Sequence, residues 1–277
     1  MKSSHRNEAS ERGADAAPVS GIGDFSMDHF SLKGKKAIVT GGNTGLGRAF
    51  TVALATAGAD LFVPSITDDD GTTGPLVEAR GGRYEFIKAD VTRPGAPAEI
   101  VAACVDRLGS LDILVNSAGV CPLASVLEFG REQWDATVAV NLTAAFEMAY
   151  EAAKTMVPQG SGKIINICSL FSFLGGRWSS AYAATKHGLA GFTKAYADEL
   201  AESGIQVNGI APGYYATDIT TATRSDPVTN QRVLDHIPAA RWGDPADLMG
   251  ATVFLASAAS DYVNGHILVV DGGYLVR

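Results

Sequence analysis

Short runs of apolar residues alternate with longer amphipathic stretches along most of this chain. The runs have the length of strands, and the stretches between them carry apolar residues at helical spacing. The candidate strands are Ala37–Val39, Leu61–Val63, Tyr84–Ile87, Leu111–Val115, Lys163–Ile167, Gln206–Ile210 and Ile267–Val270. Strands that are apolar throughout and alternate with helices are typical of a parallel sheet covered on both faces, with right-handed crossovers. The pattern therefore predicts one α/β domain, a doubly wound parallel sheet of about seven strands with helices on both faces.

Polar clusters stand at or shortly after the ends of five of these strands. They are Thr40–Gly47, Asp90-Val91, Asn116–Gly119, Ser169 and Pro212-Gly213. Ligands of open parallel sheets bind beyond the carboxyl ends of the strands. We therefore expect these clusters, scattered in sequence, to meet at one edge of the sheet.

The first cluster is a glycine-rich turn between a strand and a helix. Gly41, Gly45 and Gly47 allow a tight turn and a close approach to a bound group, and the helix that follows directs its first N–H groups at a phosphate. A dinucleotide pyrophosphate fits such a turn. The spacing is Gly-x-x-x-Gly-x-Gly, which differs from the more general Gly-x-Gly-x-x-Gly, so the turn does not identify the ligand by itself.

The residues between Ser169 and Lys186 predict a proton-transfer site. Tyr182 and Lys186 are four residues apart on a predicted helix and share one face, so the ammonium would lie near the phenol and lower its pKa. Ser169, at a strand end, would bind a substrate oxygen. The alternative is a surface tyrosine beside a solvated lysine, and the glycine turn argues against it because a dinucleotide would supply the reaction partner.

Composition excludes several other classes of protein. The chain has 277 residues, 46% hydrophobic and 19% charged, with a net charge of −8, which argues against a general binder of nucleic acid or anionic membranes. No run approaches the roughly 18 apolar residues of a membrane span. Cys104, Cys121 and Cys168 lack metal-ligand spacing and are expected to be reduced, buried thiols in a cytoplasmic protein. No metal is expected.

Residues 1–27 are expected to form a mobile N-terminal extension. They contain small, polar and charged residues but no apolar core of a secretory signal. Residues 28–277 are then the single dinucleotide-binding catalytic domain.

Together these motifs resemble those of the short-chain dehydrogenase/reductase family. The resemblance covers roughly residues 30–277 and implies a Rossmann-type fold. The matching motifs follow the family's order: Thr40–Gly47, Asn116–Gly119, Asn141, Ser169, Tyr182-x-x-x-Lys186, Pro212-Gly213 with Thr217, and Val270–Gly273. Ser117 departs from the pattern, since the family usually has asparagine there, but this change removes no catalytic group.

The resemblance implies a role for each matching residue. Tyr182 would be the acid/base, Ser169 would polarise the substrate oxygen, and Lys186 would lower the pKa of Tyr182 and hold the nicotinamide ribose. Asn141 would anchor a water molecule in the proton relay. The implied cofactor contacts are Gly41, Asn43, Thr44, Gly45, Leu46, Asp90, Val91, Asn116, Ala118, Gly119, Tyr182, Lys186, Pro212, Gly213 and Thr217.

The end of the second strand bears on the choice between NAD(H) and NADP(H). An acidic residue there would bind the ribose diol, and a basic residue would bind a 2′-phosphate. Pro64–Thr67 provides neither, and Asp68–Asp70 follows just beyond. Without a cation and with three carboxylates nearby, a 2′-phosphate is poorly matched, so NAD(H) is favoured over NADP(H).

Substrate selection is expected to depend on a lid at about residues 212–241. The candidate substrate contacts are Arg177, Trp178, Tyr215 and Arg224, and an arginine would pair with a carboxylate. Salt bridges or subunit contacts are the alternatives for the arginines. Residues 169–176, 211–217, 237–243 and 259–265 resemble the sugar-acid branch of the family, which includes gluconate 5-dehydrogenases and 2-dehydro-3-deoxy-D-gluconate 5-dehydrogenases.

The leading hypothesis is an NAD(H)-dependent dehydrogenase acting on a secondary alcohol of a sugar acid. A nearer alternative is an NADPH-dependent reductase of 3-oxoacyl thioesters, and one from another class is a dinucleotide-binding protein without catalysis. The resemblance also implies a homotetramer formed through two long helices and the C-terminal strand. In such a tetramer Tyr274–Arg277 would reach a neighbouring subunit's site.

Overall fold

All seven candidate strands form one parallel sheet in the computed structural model, which describes residues 22–277. The strands lie in the order β3-β2-β1-β4-β5-β6-β7, so the chain reverses direction across the sheet between β1 and β4. The strands are β1 (Lys36–Val39), β2 (Asp60–Ser65), β3 (Tyr84–Lys88), β4 (Ile113–Asn116), β5 (Gly162–Ile167), β6 (Ile205–Pro212) and β7 (Ile267–Val270). The predicted doubly wound, Rossmann-type sheet is confirmed.

Helices cover both faces of this sheet. They are α1 (Gly45–Thr56), α2 (Thr73–Glu78), α3 (Ala96–Leu108), α4 (Arg131–Val138), α5 (Ala144–Gln159), α6 (Ser180–Leu200), α7 (Thr221–Ser225), α8 (Pro227–His236) and α9 (Met249–Ala256). A π-helical turn, Ala139–Thr143, joins α4 to α5.

The continuous apolar strands are explained by a core on each side of the sheet. Val39 of β1 packs with Phe50 of α1 on one face, where α9 also lies. The preceding residue of β1, Ile38, packs on the other face with Met148 of α5 and with apolar residues of α3. Because successive side chains point to opposite faces, and both faces are covered, every strand position favours an apolar residue.

The expected lid contains short helices. Residues 212–241 include the 3-10 turn Asp218–Thr220 and the helices α7 and α8. Helix α8 begins where the Asp226 carboxylate accepts from the Thr229 N–H at 3.0 Å, with Pro227 in the first turn. Movement of this segment stays a prediction.

The N-terminal part is described only from residue 22. Short 3-10 turns occupy Ile22–Asp24 and Met27–Phe30. The remainder of the predicted extension, residues 1–21, lies outside the described residues. Among residues 22–277, no helix is both long enough and apolar enough to cross a membrane.

Candidate active site

A cleft of about 480 Å³ opens at the carboxyl edge of the sheet, where the strand order reverses. The ends of six strands, β1 to β6, deliver residues to it, and these include the five strand ends with polar clusters. The predicted site residues that line it are Gly41, Thr44, Gly45, Leu46, Asp90, Val91, Ala118, Gly119, Ser169, Tyr182, Lys186, Pro212, Gly213, Tyr215 and Thr217. Six other predicted residues do not line it: Asn43, Asn116, Asn141, Arg177, Trp178 and Arg224.

The glycine turn has the shape that a dinucleotide requires. Gly41 has φ +65°, a conformation that favours glycine, and α1 begins at Gly45. A Cβ on Gly47 would lie 2.2 Å from the Gly41 carbonyl oxygen, so only glycine allows this close packing. The first N–H groups of α1 provide the positive end of a helix for an anion. These residues therefore fit a dinucleotide pyrophosphate.

Thr40 joins this turn to the neighbouring strand end. Its hydroxyl oxygen accepts hydrogen bonds from the backbone N–H groups of Ser117 and Ala118, each at 3.0 Å. The departure at Ser117 leaves this bond intact because the donor is backbone.

The carboxylates that follow β2 do not lie where the predicted preference for NAD(H) assumed. Pro64–Thr67 lines the cleft, but none of the three carboxylates at 68–70 does. Asp68 pairs with Lys88 at 2.6 Å, and Asp70 pairs with Arg48 at 2.5 Å. Because these carboxylates are outside the cleft and two are ion-paired, the expectation that they oppose a 2′-phosphate is corrected.

Asn43 does not line the cleft but connects two segments at the end of it where adenosine is expected to bind. Its fully buried side-chain amide donates to the carbonyls of Thr67 and Asp68 at 3.2 Å and 3.1 Å. The amide thus ties the glycine turn to the segment after β2. A direct cofactor contact by Asn43 stays a prediction.

Ser169, Tyr182 and Lys186 all line this cleft. Lys186 is buried, and its ammonium lies 5.4 Å from the centre of the Tyr182 ring. The ammonium donates to the Ile167 carbonyl at 2.5 Å. The Phe171 ring packs edge-on against Tyr182 at 5.8 Å and fixes the orientation of the phenol.

The pKa of Tyr182 is raised, and the sequence predicted the opposite. Burial raises it to about 12, while the adjacent Ser169 hydroxyl opposes that shift and the thiols of Cys121 and Cys168 add to it. Lys186 does not offset the effect, because burial lowers its own pKa and its ammonium is directed at a backbone carbonyl. At neutral pH the phenol is therefore protonated and is a proton donor.

Asn141 lies in the π-helical turn between α4 and α5. Its side-chain carbonyl accepts from the Val120 N–H, and its amide donates to the Val120 carbonyl, both at 2.8 Å. Asn141 thus fixes the segment that carries Cys121 on the cleft wall. π-Helical turns are frequent at functional sites, and this one places Asn141 beneath that wall.

Asn116 belongs to a buried polar network below the cleft. Its amide donates to the Asn166 side-chain oxygen at 2.9 Å and to the Ala145 carbonyl at 3.1 Å. Asn166 in turn donates to Thr193 at 2.9 Å. The network links β4, β5 and α6, and therefore orients the helix that carries Tyr182.

The predicted substrate contacts are mostly engaged elsewhere. The Arg177 guanidinium is exposed and stacks 4.6 Å from the Trp178 ring, whose backbone has a rare positive φ of 66°. Arg224 donates to the Thr217 carbonyl at 3.0 Å and stabilises the start of the lid. The Tyr215 hydroxyl donates to the Val270 carbonyl at 2.9 Å. A carboxylate contact by either arginine stays a prediction.

Three residues near the site were missed by the sequence analysis. Cys121 lines the cleft beside the catalytic cluster. Ser172 accepts from the Ser169 N–H at 3.3 Å and donates to the Lys186 carbonyl at 2.8 Å, which connects two predicted catalytic residues. Tyr214 follows Gly213 at the end of β6, a position that could have identified it.

The arrangement can position an alcohol or carbonyl against a protonated phenol. Ser169 and Tyr182 provide two hydroxyl groups for one substrate oxygen, and Lys186 provides a cation behind them. The glycine turn places a phosphate-binding site at the other end of the same cleft. A dinucleotide in this cleft would supply a carbon that accepts or donates hydride.

Comparisons with known proteins agree with this site. A family model described as enoyl-(acyl carrier protein) reductase matches residues 41–275. The uncharacterized oxidoreductase YgcW of Escherichia coli K12 is 68% identical over 259 residues, which cover 94% of this chain and 99% of that protein. A 2-dehydro-3-deoxy-D-gluconate 5-dehydrogenase of Bacillus subtilis is 48% identical over 253 residues, 91% of this chain and 99% of that protein.

Solved structures share the fold as well as the sequence. The crystal structure of a gluconate 5-dehydrogenase from Burkholderia cenocepacia, in complex with NADP and tartrate, has a TM-score of 0.87 at 37% identity. The match covers 91% of this chain and 100% of that one. The chain belongs to the short-chain dehydrogenase/reductase family and is a nicotinamide-dinucleotide-dependent oxidoreductase acting on CH–OH groups.

Proposed function

We propose that this protein transfers hydride between a nicotinamide dinucleotide and a secondary alcohol of a sugar acid. The observation that carries the proposal is the meeting of Ser169, Tyr182 and Lys186 in the cleft that also holds the glycine turn. Relatives at 48% and 39% identity are described as 2-dehydro-3-deoxy-D-gluconate 5-dehydrogenase and gluconate 5-dehydrogenase. These names support the substrate class but not which hydroxyl reacts.

In the proposed mechanism, Tyr182 exchanges a proton with the substrate oxygen. During reduction of a ketone, the phenol donates its proton to the oxygen while hydride adds to the carbonyl carbon. During oxidation, the phenolate takes the hydroxyl proton as the C–H bond breaks and C=O forms. Ser169 holds the oxygen by a hydrogen bond, and Lys186 provides positive charge near the phenol.

The remaining predicted residues orient this cluster or hold the dinucleotide. Asn141 fixes the wall that carries Cys121, and Thr217 is at the entrance to the lid. The Asn141 amide donates to the Val120 carbonyl, and we propose that the turn which contains Asn141 also anchors a water molecule of the proton relay.

We propose NAD(H) as the preferred cofactor. Among the described residues that line the cleft, Lys186 is the only cation, and it lies at the catalytic end. The adenosine end, at Pro64–Thr67, offers no lysine or arginine for a 2′-phosphate. The relative from Burkholderia cenocepacia was crystallised with NADP, so both dinucleotides must be compared directly.

We further propose that the protein is a homotetramer. Exposed aromatic residues continue along α5, where Phe146 and Tyr150 stack at 6.2 Å. Phe146 also packs edge-on against Phe192 of α6 at 6.1 Å, and Phe192 lies 4.3 Å from Tyr196. Exposed apolar surface of this kind on two adjacent long helices is typical of a contact between subunits.

The experiment that tests the function is a spectrophotometric screen of dinucleotide reduction, with NAD and NADP in parallel. The substrates are gluconate, 2-keto-3-deoxygluconate, other aldonates and simple polyols. Strong activity on one sugar acid, larger with NAD than with NADP, is the expected result.

The same assay measures the oxidation of a 3-hydroxybutyryl thioester and, in the other direction, the reduction of the corresponding acetoacetyl thioester with NADPH. Activity only on the thioester pair would favour the fatty-acyl alternative. Dinucleotide binding without turnover on any alcohol or ketone would favour a non-catalytic binding protein.

A further inference from the structure

Tyr215 lies between the catalytic cleft and a second cavity of about 260 Å³ beside the base of the lid. It lines both spaces, and only 5% of its surface is exposed. The second cavity is also lined by Arg241, Asp247 and Asp271. Tyr215 is therefore a wall of the cleft that is held from within the protein, and its contacts determine where this wall lies.

The Tyr215 hydroxyl connects the start of the lid to the last strand of the sheet. It donates to the carbonyl of Val270, the last residue of β7, at 2.9 Å. The same carbonyl accepts from the backbone N–H of Gly213 at 2.9 Å. Two hydrogen bonds thus converge on one acceptor, and together they fix the segment that leaves β6 against β7.

The far end of the lid packs against the same residue. The Ala216 N–H donates to the Gly243 carbonyl, and the Gly243 N–H donates to the Tyr214 carbonyl, both at 2.9 Å. A Cβ on Gly243 would lie 2.6 Å from the Tyr215 ring, so the glycine and the ring are in close contact. Tyr215 therefore connects both ends of the lid to β7.

The turn that begins the lid is attached to Tyr215 as well. This first lid turn, Thr217–Thr220, supplies four consecutive residues to the cleft wall. The Thr220 hydroxyl donates to the Tyr215 carbonyl at 2.7 Å, and its oxygen accepts from the Thr217 N–H at 3.1 Å. The Arg224 guanidinium donates to the Thr217 carbonyl at 3.0 Å. The first lid turn is thus a compact unit that Tyr215 attaches to the sheet.

The first lid turn lies at the catalytic end of the cleft. It follows β6, which pairs with β5, the strand that precedes Ser169. The glycine turn follows β1, which is three strands from β6. Three strand spacings amount to about 14 Å across the sheet. A dinucleotide whose pyrophosphate lies at the glycine turn would therefore extend its nicotinamide towards Ser169 and the first lid turn.

We propose that Tyr215 is a positioning residue that fixes the nicotinamide of the dinucleotide through the first lid turn. The inference rests on the proposed function and deepens it, because it names the residue that keeps the nicotinamide facing Ser169 and Tyr182. Tyr215 acts through the turn and not by contact with substrate, since its hydroxyl is already used by Val270. Hydride transfer is sensitive to such placement, because a displacement of about 1 Å can lower the rate roughly 100-fold.

The test compares Tyr215→Phe with the wild-type enzyme. The substitution removes the hydroxyl and keeps the ring against Gly243. Fluorescence titration measures affinity for the tighter-binding of NADH and NADPH. Competition measures affinity for the matching fragment without nicotinamide, ADP-ribose or its 2′-phosphate. Melting temperature and turnover of the best sugar acid are measured on the same samples.

Two further comparisons separate positioning from a general loss of structure. Thr220→Val removes the hydroxyl that donates to the Tyr215 carbonyl, whereas Thr220→Ser retains one. Tyr262→Phe is the matched control for the loss of a phenol oxygen, since that tyrosine is fully exposed. It should leave both affinities and turnover unchanged.

Tyr215→Phe is expected to weaken dinucleotide binding about fivefold and to leave fragment affinity within about twofold of wild type, because the lost hydrogen bond supports only the nicotinamide end. Turnover should fall about tenfold. Thr220→Val should act in the same direction, and Thr220→Ser should not. Equal losses of affinity for dinucleotide and fragment would overturn the inference, as would a lower melting temperature with both affinities unchanged. A wild-type enzyme that is inert towards every sugar acid would overturn the proposed function, while the two affinities would still decide the role of Tyr215.

Discussion

The Tyr182 phenol is partly enclosed by the Phe171 ring, and the Ser169 hydroxyl lowers its pKa against the larger effect of burial. Burial disfavours the phenolate, so the protonated form is stabilised in this structure. The expectation from sequence assumed that a lysine four residues away would dominate. It failed because Lys186 is itself buried and donates to the Ile167 carbonyl.

The raised pKa of Tyr182 leads to a pH prediction. Oxidation requires the phenolate, whose fraction increases with pH below the pKa, whereas reduction uses the phenol that predominates. We expect kcat/KM for alcohol oxidation to rise from about pH 6 to about pH 9, and that for ketone reduction not to rise. Steady-state rates in both directions check this. An oxidation rate that is flat or falling over this range would show that another group accepts the proton.

At the scale of single residues, the sequence predicted which side chains meet but not what each one contacts. Ser169, Tyr182 and Lys186 converge because strand ends and helix faces follow from periodicity. The side-chain contacts of Asn141 with Val120 and of Arg224 with Thr217 depend on packing between segments distant in sequence. No local pattern encodes such contacts.

At the scale of elements, the turn between β1 and α1 requires glycine at Gly47 because there is no room for a side chain. Gly47→Ala would place a methyl group 2.2 Å from the Gly41 carbonyl oxygen, so the turn would have to open. We expect dinucleotide affinity to fall about tenfold or more, since the overlap costs on the order of 1–3 kcal/mol. Fluorescence titration with the reduced dinucleotide measures the affinity.

Gly250→Ala is the matched control for that substitution. Gly250 lies in α9, and a Cβ there would have no atom within 4 Å. Alanine should leave dinucleotide affinity unchanged and stabilise the helix by up to about 1 kcal/mol. Equal affinities for the Gly47 and Gly250 variants would contradict the role given to the turn.

The strands and the glycine turn could be predicted from sequence because each has a local signal. Every predicted strand is present, and β4 spans Ile113–Asn116 where the sequence predicted Leu111–Val115. The π-helical turn at Ala139–Thr143 had no such signal, since it reads as ordinary helix. The loop after β2 was also unpredictable, because ion pairs with Lys88 and Arg48 turn its carboxylates away from the cleft.

For the whole molecule, the aromatic surface of α5 and α6 predicts assembly. Phe146 is 44% exposed although it contacts three aromatic rings. Phe146→Asp would place a charge in the proposed subunit contact, and we expect the tetramer to dissociate at micromolar concentrations. Sedimentation measures the mass, and circular dichroism confirms that the fold is retained.

Tyr262→Asp, at a fully exposed tyrosine, is the control for assembly. It should leave the mass unchanged. A wild-type protein that sediments as a monomer would contradict the proposed tetramer without affecting the catalytic account.

The central claim is that Tyr182 transfers the proton during hydride transfer, and the most direct measurement compares Tyr182→Phe with wild type on the best sugar acid. Removal of the phenol oxygen should reduce turnover by roughly 10²-fold or more, the usual contribution of a positioned acid/base. Dinucleotide affinity should remain near wild type, because the glycine turn is untouched. Tyr262→Phe should keep full activity. Turnover by Tyr182→Phe within a few-fold of wild type would contradict the account.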